Sequence, residues 1–422
     1  MLANLSGPIL LFAIIATISG QLIQGSTSGW AGAAIWLYFL LNLQHLNRRQ
    51  RVQNFAIMVP GISLLALALW TQADWTLLQP LLNANQLIIT LLAAISFLQL
   101  TTRLSSEQGN SRGKNGLRRT LLSTHLMSAV INVSAMVLVA DRLKQAGKIS
   151  TLQGLTLLRA FGTCALWSPF FAAMGVTLVS APGAELARFV PYTAGLAIVA
   201  ILISYFQLTR RADTAAFQGY PISFESLKLP LGLAAAVLVS HYLLPQFSVI
   251  MLVSVLAILL VLTLLLIRNP PAVALRQFGQ HVVVGLPNTR GEIALFISST
   301  ILATGIGAAQ TAFNLNLTPE TFDATSACIT LTLLIMLSVI GVHPVTSSLI
   351  AGTTLMPATN DPNLLAMTLL MSWSFSSILS PLAGNQIILQ GRYGVRARDL
   401  FRANLPYVLV MLPICFFVLW LY

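Results

Sequence analysis

Charged residues are scarce in this sequence. Only 8% of its 422 residues are Asp, Glu, Lys or Arg, whereas 56% are hydrophobic. Soluble domains carry about 25% charged residues, and a soluble fold of this length would need far more polar surface to cover its core. Together with a mean hydropathy of +0.81, this composition excludes a large soluble enzyme and predicts an integral membrane protein.

Carboxylates, cysteines and enzyme motifs are sparse as well. The three cysteines, Cys164, Cys328 and Cys415, lie far apart in apolar stretches and match no metal-ligand spacing. No Asp or Glu lies near the middle of an apolar segment, which argues against a carboxylate proton relay and against the paired carboxylates of a membrane hydrolase. HExxH and P-loop patterns are absent. We therefore expect neither an enzyme nor a bound cofactor.

Basic residues are present in excess, and their distribution indicates a membrane. The 23 Lys and Arg outnumber the 11 Asp and Glu, for a net charge of +12. They lie in short loops between apolar segments, as expected for loops that face cytoplasm and anionic lipid. The excess therefore predicts the lipid bilayer as partner and no nucleic acid. The N-terminus lacks a basic n-region and is predicted to be the first span.

Apolar segments recur along the whole chain. In a window of about 19 residues they are 8–23, 29–44, 53–71, 76–100, 119–140, 151–180, 187–208, 229–246, 248–267, 291–313, 324–356, 363–390 and 405–422. A crossing helix needs about 20 residues. Three segments, 151–180, 324–356 and 363–390, are too long for simple spans.

Charged loops give the predicted topology. Basic loops stand on both sides of segment 119–140, the second of them containing Lys144 and Lys148. If this segment crossed the bilayer, one basic loop would face outward, so it is predicted to be a re-entrant hairpin. Segment 324–356 has acidic flanks and a Gly-Val-His-Pro break at 341–344, which predicts a second hairpin from the opposite side.

Two hairpins imply an all-α polytopic membrane protein with about eleven transmembrane helices. The N-terminus is then cytoplasmic, and Arg188 is the one basic residue on the outer side. A bacterial inner (plasma) membrane is the expected location. The alternative treats both hairpins as ordinary spans and places one basic loop outside.

The predicted hairpins divide the chain into similar halves of opposite orientation. Each hairpin is followed by a long interrupted segment, 151–180 in the first half and 363–390 in the second. An inverted repeat with broken helices at matching positions indicates the midplane site of a secondary transporter. The predicted parts are 1–100 (first scaffold helices), 101–208 (first transport repeat), 209–313 (second scaffold helices and cytoplasmic linkers) and 314–422 (second transport repeat and last span).

Short polar side chains lie beside break-forming residues in all four of these segments. Hydroxyl and amide donors at the ends of half-helices suit an anion, and open carbonyls suit a cation. For any single Ser, a hydrogen bond to its own helix or to a neighbouring helix is the better explanation. The predicted substrate-binding residues are Asn132, Ser134, Ser168, His343, Thr346, Ser347, Ser377 and Asn385.

These motifs resemble the ion transporter superfamily, most closely the divalent-anion/sodium symporters. Asn132-Val133-Ser134 and His343-Pro344-Val345-Thr346-Ser347 stand where that family has its hairpin tips, and Ser380-Pro381 with Asn385 resembles its last helix break. The resemblance implies two inverted repeats and an elevator movement of hairpins and broken helices past a dimeric scaffold. It also implies a homodimer and Na+ as the coupling ion, on carbonyl oxygens at tips and breaks.

The roles of Arg159 and of the histidines in the apolar segments are left open by the sequence. Arg159, about two turns before the first break, is either an anion partner or a snorkelling side chain. Among the histidines in apolar segments, a lone His is usually structural; His343, before a proline at a hairpin tip, is the one that could donate to a solute or carry a proton.

The predicted function is secondary active transport of a small anionic solute. One alternative is a proton-coupled exporter in which His343 carries the proton. Another is a membrane assembly subunit that carries no solute, although such a subunit would not need repeated broken helices.

Overall fold

The computed structural model describes residues 5–24, 28–83, 85–101, 111–220, 224–315 and 318–422, without the side chains of 224–231. Residues 102–110 lie outside the described residues, and they come directly after the predicted boundary between the first two parts of the chain, 1–100 and 101–208. The α-helices are α1 (Ser6–Gln24), α2 (Gly29–Asn42), α3 (Arg48–Gln72), α4 (Gln79–Asn83), α5 (Gln86–Phe97), α6 (Gly113–Ile131), α7 (Val133–Leu143), α8 (Thr151–Gly162), α9 (Ala172–Ser180), α10 (Leu186–Thr209), α11 (Phe224–Leu243), α12 (Val249–Arg268), α13 (Pro271–Gln280), α14 (Arg290–Ala312), α15 (Ala324–Val339), α16 (Pro344–Leu355), α17 (Pro362–Leu379), α18 (Gly384–Tyr393) and α19 (Ala397–Leu421).

Shorter elements join these helices. Two-residue strands β1 (Ser111–Arg112) and β2 (Gln218–Gly219) pair antiparallel. A π-helical turn covers His281–Gly285. Turns of 3-10 helix cover Leu43–His45, Trp75–Leu78, Leu98–Leu100, Thr163–Leu166, Ala212–Ala216, Leu286–Thr289 and Met356–Ala358.

The chain is an all-α polytopic membrane protein, as its composition predicts. Eight helical stretches among the described residues are long and apolar enough to cross a bilayer, and Gly232–Leu243 and Ala324–Val339 are shorter apolar helices. Large apolar side chains also stand on the outside of the fold: Trp70 is 89% exposed and Ile23 80%. Exposed apolar surface of this kind suits lipid rather than water. The count of eleven crossings stays a prediction.

The chain forms two compact units. Unit 1 contains Met1–Thr102, Leu233–Thr318 and Leu349–Pro357, and unit 2 contains Arg103–Gly232, Pro319–Ser348 and Ala358–Tyr422. Each unit therefore combines segments from both halves of the sequence. All eight predicted site residues belong to unit 2.

Unit 1 is built around the close packing of α3 on α14. The two helices run parallel, since Asn54 near the start of α3 accepts a hydrogen bond from Ser298 (2.7 Å) and Gln72 at its end donates to the Thr311 carbonyl (3.3 Å). At Gly61 a side chain would collide with the backbone of Leu302, 2.6 Å away. Glycine at this position therefore allows the two backbones to approach.

In unit 2, α6 and α7 form a helical hairpin with Asn132 at its tip. Strand β1 immediately precedes α6 and pairs with β2. Gln145, just after α7, donates to the Gln218 side chain in the same strand (2.6 Å). The two ends of the hairpin thus meet on one side, and Asn132 makes the reversal at φ 52° and ψ −138°.

A second helical hairpin consists of α15 and α16. Its ends also meet, because the Phe322 N–H before α15 donates to the Ala358 carbonyl after α16 (2.8 Å). The tip lies between Val339 and Pro344 and contains Gly341 at φ 114°. Whether either hairpin enters the bilayer re-entrantly stays a prediction.

The five helices of the first repeat recur in the second at a nearly constant displacement. Helices α6, α7, α8 and α10 begin at residues 113, 133, 151 and 186, and α15, α16, α17 and α19 begin at 324, 344, 362 and 397, which is 211 positions later in each case. Helix α18 begins 212 positions after α9. The helix starts of the two halves thus share one spacing.

Candidate functional site

The first helix break separates α8 from α9. Beyond Gly162 the chain makes a 3-10 turn and then passes through Ser168 and Pro169 before α9 begins. The Ser168 hydroxyl is buried; it donates to the Ala129 carbonyl in the last turn of α6 and accepts from the Phe170 N–H (3.2 Å). This one side chain therefore replaces backbone hydrogen bonds that the proline and the break remove.

The second break, between α17 and α18, is built in the same way. The Ser380 hydroxyl donates to the Ser338 carbonyl in the last turn of α15 (2.5 Å) and accepts from the Leu382 N–H (3.3 Å). In both repeats the serine of the Ser-Pro pair thus connects a break to its hairpin. The carbonyl that it contacts lies three residues before the positive-φ residue of the tip, Asn132 or Gly341. This shared pair of hydrogen bonds is a repeat of chemistry as well as of helix positions.

The two broken segments run antiparallel to each other. At one end the Ile149 N–H before α8 donates to the Tyr393 carbonyl at the end of α18 (3.4 Å). At the other end the Glu185 N–H, beyond α9, donates to the Asn363 side chain at the start of α17 (2.7 Å). This antiparallel arrangement is what an inverted repeat requires.

The breaks approach each other at Gly162. A Cβ there would lie 2.4 Å from the Ile378 Cγ1 atom and 3.0 Å from the Ser377 Oγ atom. A Cβ at this crossing would therefore require the Ile378 side chain or α17 to shift. The end of α8 and the end of α17 therefore meet where both helices are about to stop.

Asn132 and Asn385 each bind a break through a side-chain amide. Asn132 donates from Nδ2 to the Phe170 carbonyl (2.9 Å), which joins the first tip to the first break. Asn385 donates from Nδ2 to the Ser377 carbonyl (3.0 Å), and its neighbour Gln386 donates to the Ile378 carbonyl (2.6 Å). The last carbonyls of α17 are thus satisfied from the first turn of α18.

Capping differs between the first and second halves of the broken helices. Helix α8 begins with a capping box at Ser150, and α17 begins with the Asp361 side chain accepting from the Asn363 N–H. The second halves, α9 and α18, begin without a side-chain cap, and so does α7 after the first tip. Their first N–H groups, at the positive ends of the helix dipoles, are suited to an anion.

The second hairpin is capped at both of its helix starts. At the start of α15, backbone and side-chain hydrogen bonds from Ser326 hold the pKa of Asp323 below its ordinary value. At the start of α16, His343 accepts the Val345 N–H on its Nδ1 atom (3.2 Å). Because that nitrogen is an acceptor, the neutral ring carries its proton on Nε2.

The remaining predicted residues lie at the same breaks and tips. Ser377 donates within its own helix to the Ser374 carbonyl (2.8 Å), and Ser347 donates to the Pro344 carbonyl (3.2 Å). Both hydroxyls thus match the structural alternative of a bond to their own helix. Ser134 is half-buried in the first turn of α7, and Thr346 is buried in the first turn of α16.

Arg159 is not the snorkelling side chain that the sequence left as one alternative, because it is buried and contacts other parts of the protein. It is 2% exposed, and it donates to the Asn404 side chain, the Gln207 side chain and the Ala403 carbonyl, each at 3.0 Å. Its guanidinium carbon lies 4.1 Å from the centre of the Tyr407 ring. The side chain therefore connects α8 to α10 and α19.

His125 and Trp167 form a contact at the first break that the sequence did not indicate. The Trp167 indole donates to Nε2 of His125 (3.0 Å), and Nδ1 lies 3.0 Å from the Ala160 carbonyl. Since an indole N–H only donates, Nε2 is an acceptor and Nδ1 carries the proton of a neutral ring.

Among the described residues no group of three His, Cys, Asp or Glu could hold a metal ion.

No protein-family model and no curated protein matches this chain. Among solved structures it is similar to one described as the Alcanivorax borkumensis YdaH transporter with an unusual topology. The identity is 13%, the match covers 87% of this chain and 86% of that chain, and the TM-score is 0.42.

Proposed function

We propose that this protein is a secondary active transporter of a small anionic solute. The observation that carries the proposal is the pair of antiparallel Ser-Pro breaks. In each, the serine hydroxyl donates to a carbonyl of the hairpin and accepts an N–H group of the break itself. Broken helices at membrane depth are tolerated where protein buries them or a watery cavity borders them. A protein that only assembled with others would not need two such breaks.

The anionic character of the solute follows from the chemistry around the breaks. Uncapped N-termini of α7, α9 and α18 offer N–H groups and positive dipole ends. The site residues are amides, hydroxyls and one neutral imidazole, with no carboxylate among them. An anion gains hydrogen bonds in this setting, whereas a cationic solute would find no opposite charge.

By analogy with the family that the sequence resembles, we propose an elevator movement of the hairpins and broken helices. The proposed assembly is a homodimer, and the proposed location is a bacterial inner membrane. Sodium is the proposed coupling ion, because carbonyl oxygens freed at helix breaks are the ligands it takes in transporters.

Proton coupling through His343 is the second candidate. Nδ1 of this ring accepts the Val345 N–H, so a second proton could be taken up only by breaking the cap of α16. Proton uptake would thus alter the second tip directly. In that case His343→Gln removes the response to an imposed pH gradient, whereas a sodium-coupled protein keeps its sodium dependence in the same variant.

Uptake into proteoliposomes tests the function. Radiolabelled sulfate, phosphate, acetate and succinate are offered with sodium and proton gradients imposed separately, and protein-free liposomes are the blank. We expect gradient-dependent accumulation of at least one anion, and its loss in Ser380→Ala. Ser63→Ala is the matched control, since the Ser63 hydroxyl bonds only to the Val59 carbonyl of its own helix in unit 1. Equal uptake by Ser380→Ala and wild type would contradict the role of the break.

A further inference from the structure

Arg159 is a buried cation surrounded by neutral acceptors. It lies in α8, one turn before Thr163, and no carboxylate forms an ion pair with it among the described residues. Burying an arginine without a carboxylate is costly unless its donors are satisfied. Three of its five N–H donors have oxygen acceptors here, and the guanidinium also lies over the Tyr407 ring face.

The arginine fixes the orientation of the Asn404 amide. A side-chain amide has one donor end and one acceptor end of nearly equal shape. Arg159 can only donate, so the Oδ1 atom of Asn404 must face its Nε atom (3.0 Å). The Nδ2 atom is then directed to the opposite side, where it donates to the Ile378 carbonyl (3.0 Å).

The Ile378 carbonyl is one of the last acceptors of α17 before the second break. It receives two side-chain amides, Asn404 from α19 and Gln386 from α18. The preceding carbonyl, of Ser377, receives Asn385. Two adjacent carbonyls at the end of α17 are thus matched with two adjacent amides in the first turn of α18, and Asn404 holds the pair from the other side.

We propose that Arg159 is a positioning residue for the second half of the solute site. Through Asn404 it holds the Ile378 carbonyl, and with it the start of α18 at Asn385 and Gln386. From the last turn of α8, just before the first break, it acts on the geometry of the second break without contact to the solute. The consequence for solute affinity rests on the proposed function; the positioning of the break does not.

Hydrogen exchange measured by mass spectrometry tests the positioning without any solute. We expect Arg159→Met to raise the exchange rate of peptides within 376–390 several-fold. The matched control is Thr156→Val, on the same helix, because the buried Thr156 hydroxyl bonds only to the Leu152 carbonyl of its own helix. This control should leave exchange in 376–390 at the wild-type rate.

Asn404→Asp separates positioning from simple attachment of α19 to α8. A carboxylate at 404 keeps the arginine contact and turns it into an ion pair, but it has no donor for the Ile378 carbonyl. We expect the ion pair with Arg159 to offset the lost hydrogen bond and hold the unfolding temperature near the wild-type value, while exchange in 376–390 becomes faster. Wild-type exchange in this variant would overturn the proposal, and this result decides even if Arg159→Met does not fold.

Transport kinetics with radiolabelled succinate form the second arm. In Asn404→Asp the KM for succinate should rise about tenfold, the effect of losing one buried hydrogen bond, with a smaller change in the maximal rate. An unchanged KM beside faster exchange would overturn the link to the solute. If wild-type protein accumulates neither succinate nor any of the other three anions, that result counts against the proposed function, and the exchange measurement alone decides the role of Arg159.

Discussion

Single residues in this protein combine a backbone role with a side-chain role. Asn132 reverses the chain at φ 52° and ψ −138°, a conformation that glycine adopts freely and other residues adopt under strain. Its amide meanwhile joins the tip to the first break at the Phe170 carbonyl. The two roles can be separated, because glycine keeps the first and removes the second.

We therefore expect Asn132→Gly to fold as well as wild type but to transport poorly. Asn132→Ala should lose transport and also about 1–2 kcal/mol of stability. Alanine is strained at positive φ and has no side-chain hydrogen bond that would offset the strain. Thermal unfolding in detergent and proteoliposome uptake measure the two effects. Asn314→Gly, at φ 50° in unit 1, is the matched control and should keep uptake. Wild-type transport by Asn132→Gly would show that the amide contact is dispensable.

At the scale of helices, the site depends on how closely the two broken segments cross. Short polar side chains beside break-forming residues indicate the breaks in the sequence, but Gly162 is the residue at which the two segments cross. The nearest atom to a Cβ there is the Cγ1 of Ile378 at 2.4 Å, in a side chain that is branched at Cβ and stiff at χ1. Relief would require this side chain to change rotamer or α17 to move.

Gly162→Ala should accordingly destabilise the protein by about 1–3 kcal/mol, as overpacking does, and reduce transport. Gly154→Ala is the control two turns earlier in α8. Its Cβ would meet only side-chain atoms of Leu400 and Val395, at 3.4 Å or more, so the better helix propensity of alanine should leave stability unchanged or slightly higher. Thermal unfolding of both variants measures the difference. Equal stability of the two would refute the close crossing.

At the scale of the whole chain, the repeat predicts that its two hairpins face opposite sides of the membrane. In each hairpin the chain enters and leaves at one end, as the Gln145–Gln218 and Phe322–Ala358 hydrogen bonds show. The basic flanks of the first and the acidic flanks of the second favour the cytoplasmic and outer side, respectively. We therefore expect the first hairpin to enter from the cytoplasmic side and the second from the outer side, as an inverted repeat requires.

Cysteine labelling tests this orientation in intact cells, in a background without the native cysteines. Single cysteines at Lys114 and Lys148 should react only after membrane permeabilisation, and cysteines at Glu320 and Asn360 should react with an impermeant reagent from outside. All four positions are exposed. Reaction of Lys114→Cys and Lys148→Cys from opposite faces would make the first hairpin an ordinary span.

The sequence by itself determined the class of protein and the places where its helices stop. Low charge and long apolar segments predicted an all-α membrane protein, and the structure confirms that class. Ser168-Pro169, Ser380-Pro381 and Gly341 to Pro344 could be recognised because proline removes a backbone donor and glycine permits positive φ. These are local preferences, and they act wherever the residues occur.

Only the tertiary structure decided which residues meet at the breaks. Arg159 and Asn404 are 245 positions apart, and no local preference relates them. Gly162 shows its importance only once α17 lies against it, and Nδ1 of His343 is engaged by the N–H group that starts α16. Such pairings result from packing, in which most buried donors find an acceptor and some acceptors are brought to them by another segment. The sequence therefore determines where the helices break, and packing determines what each break binds.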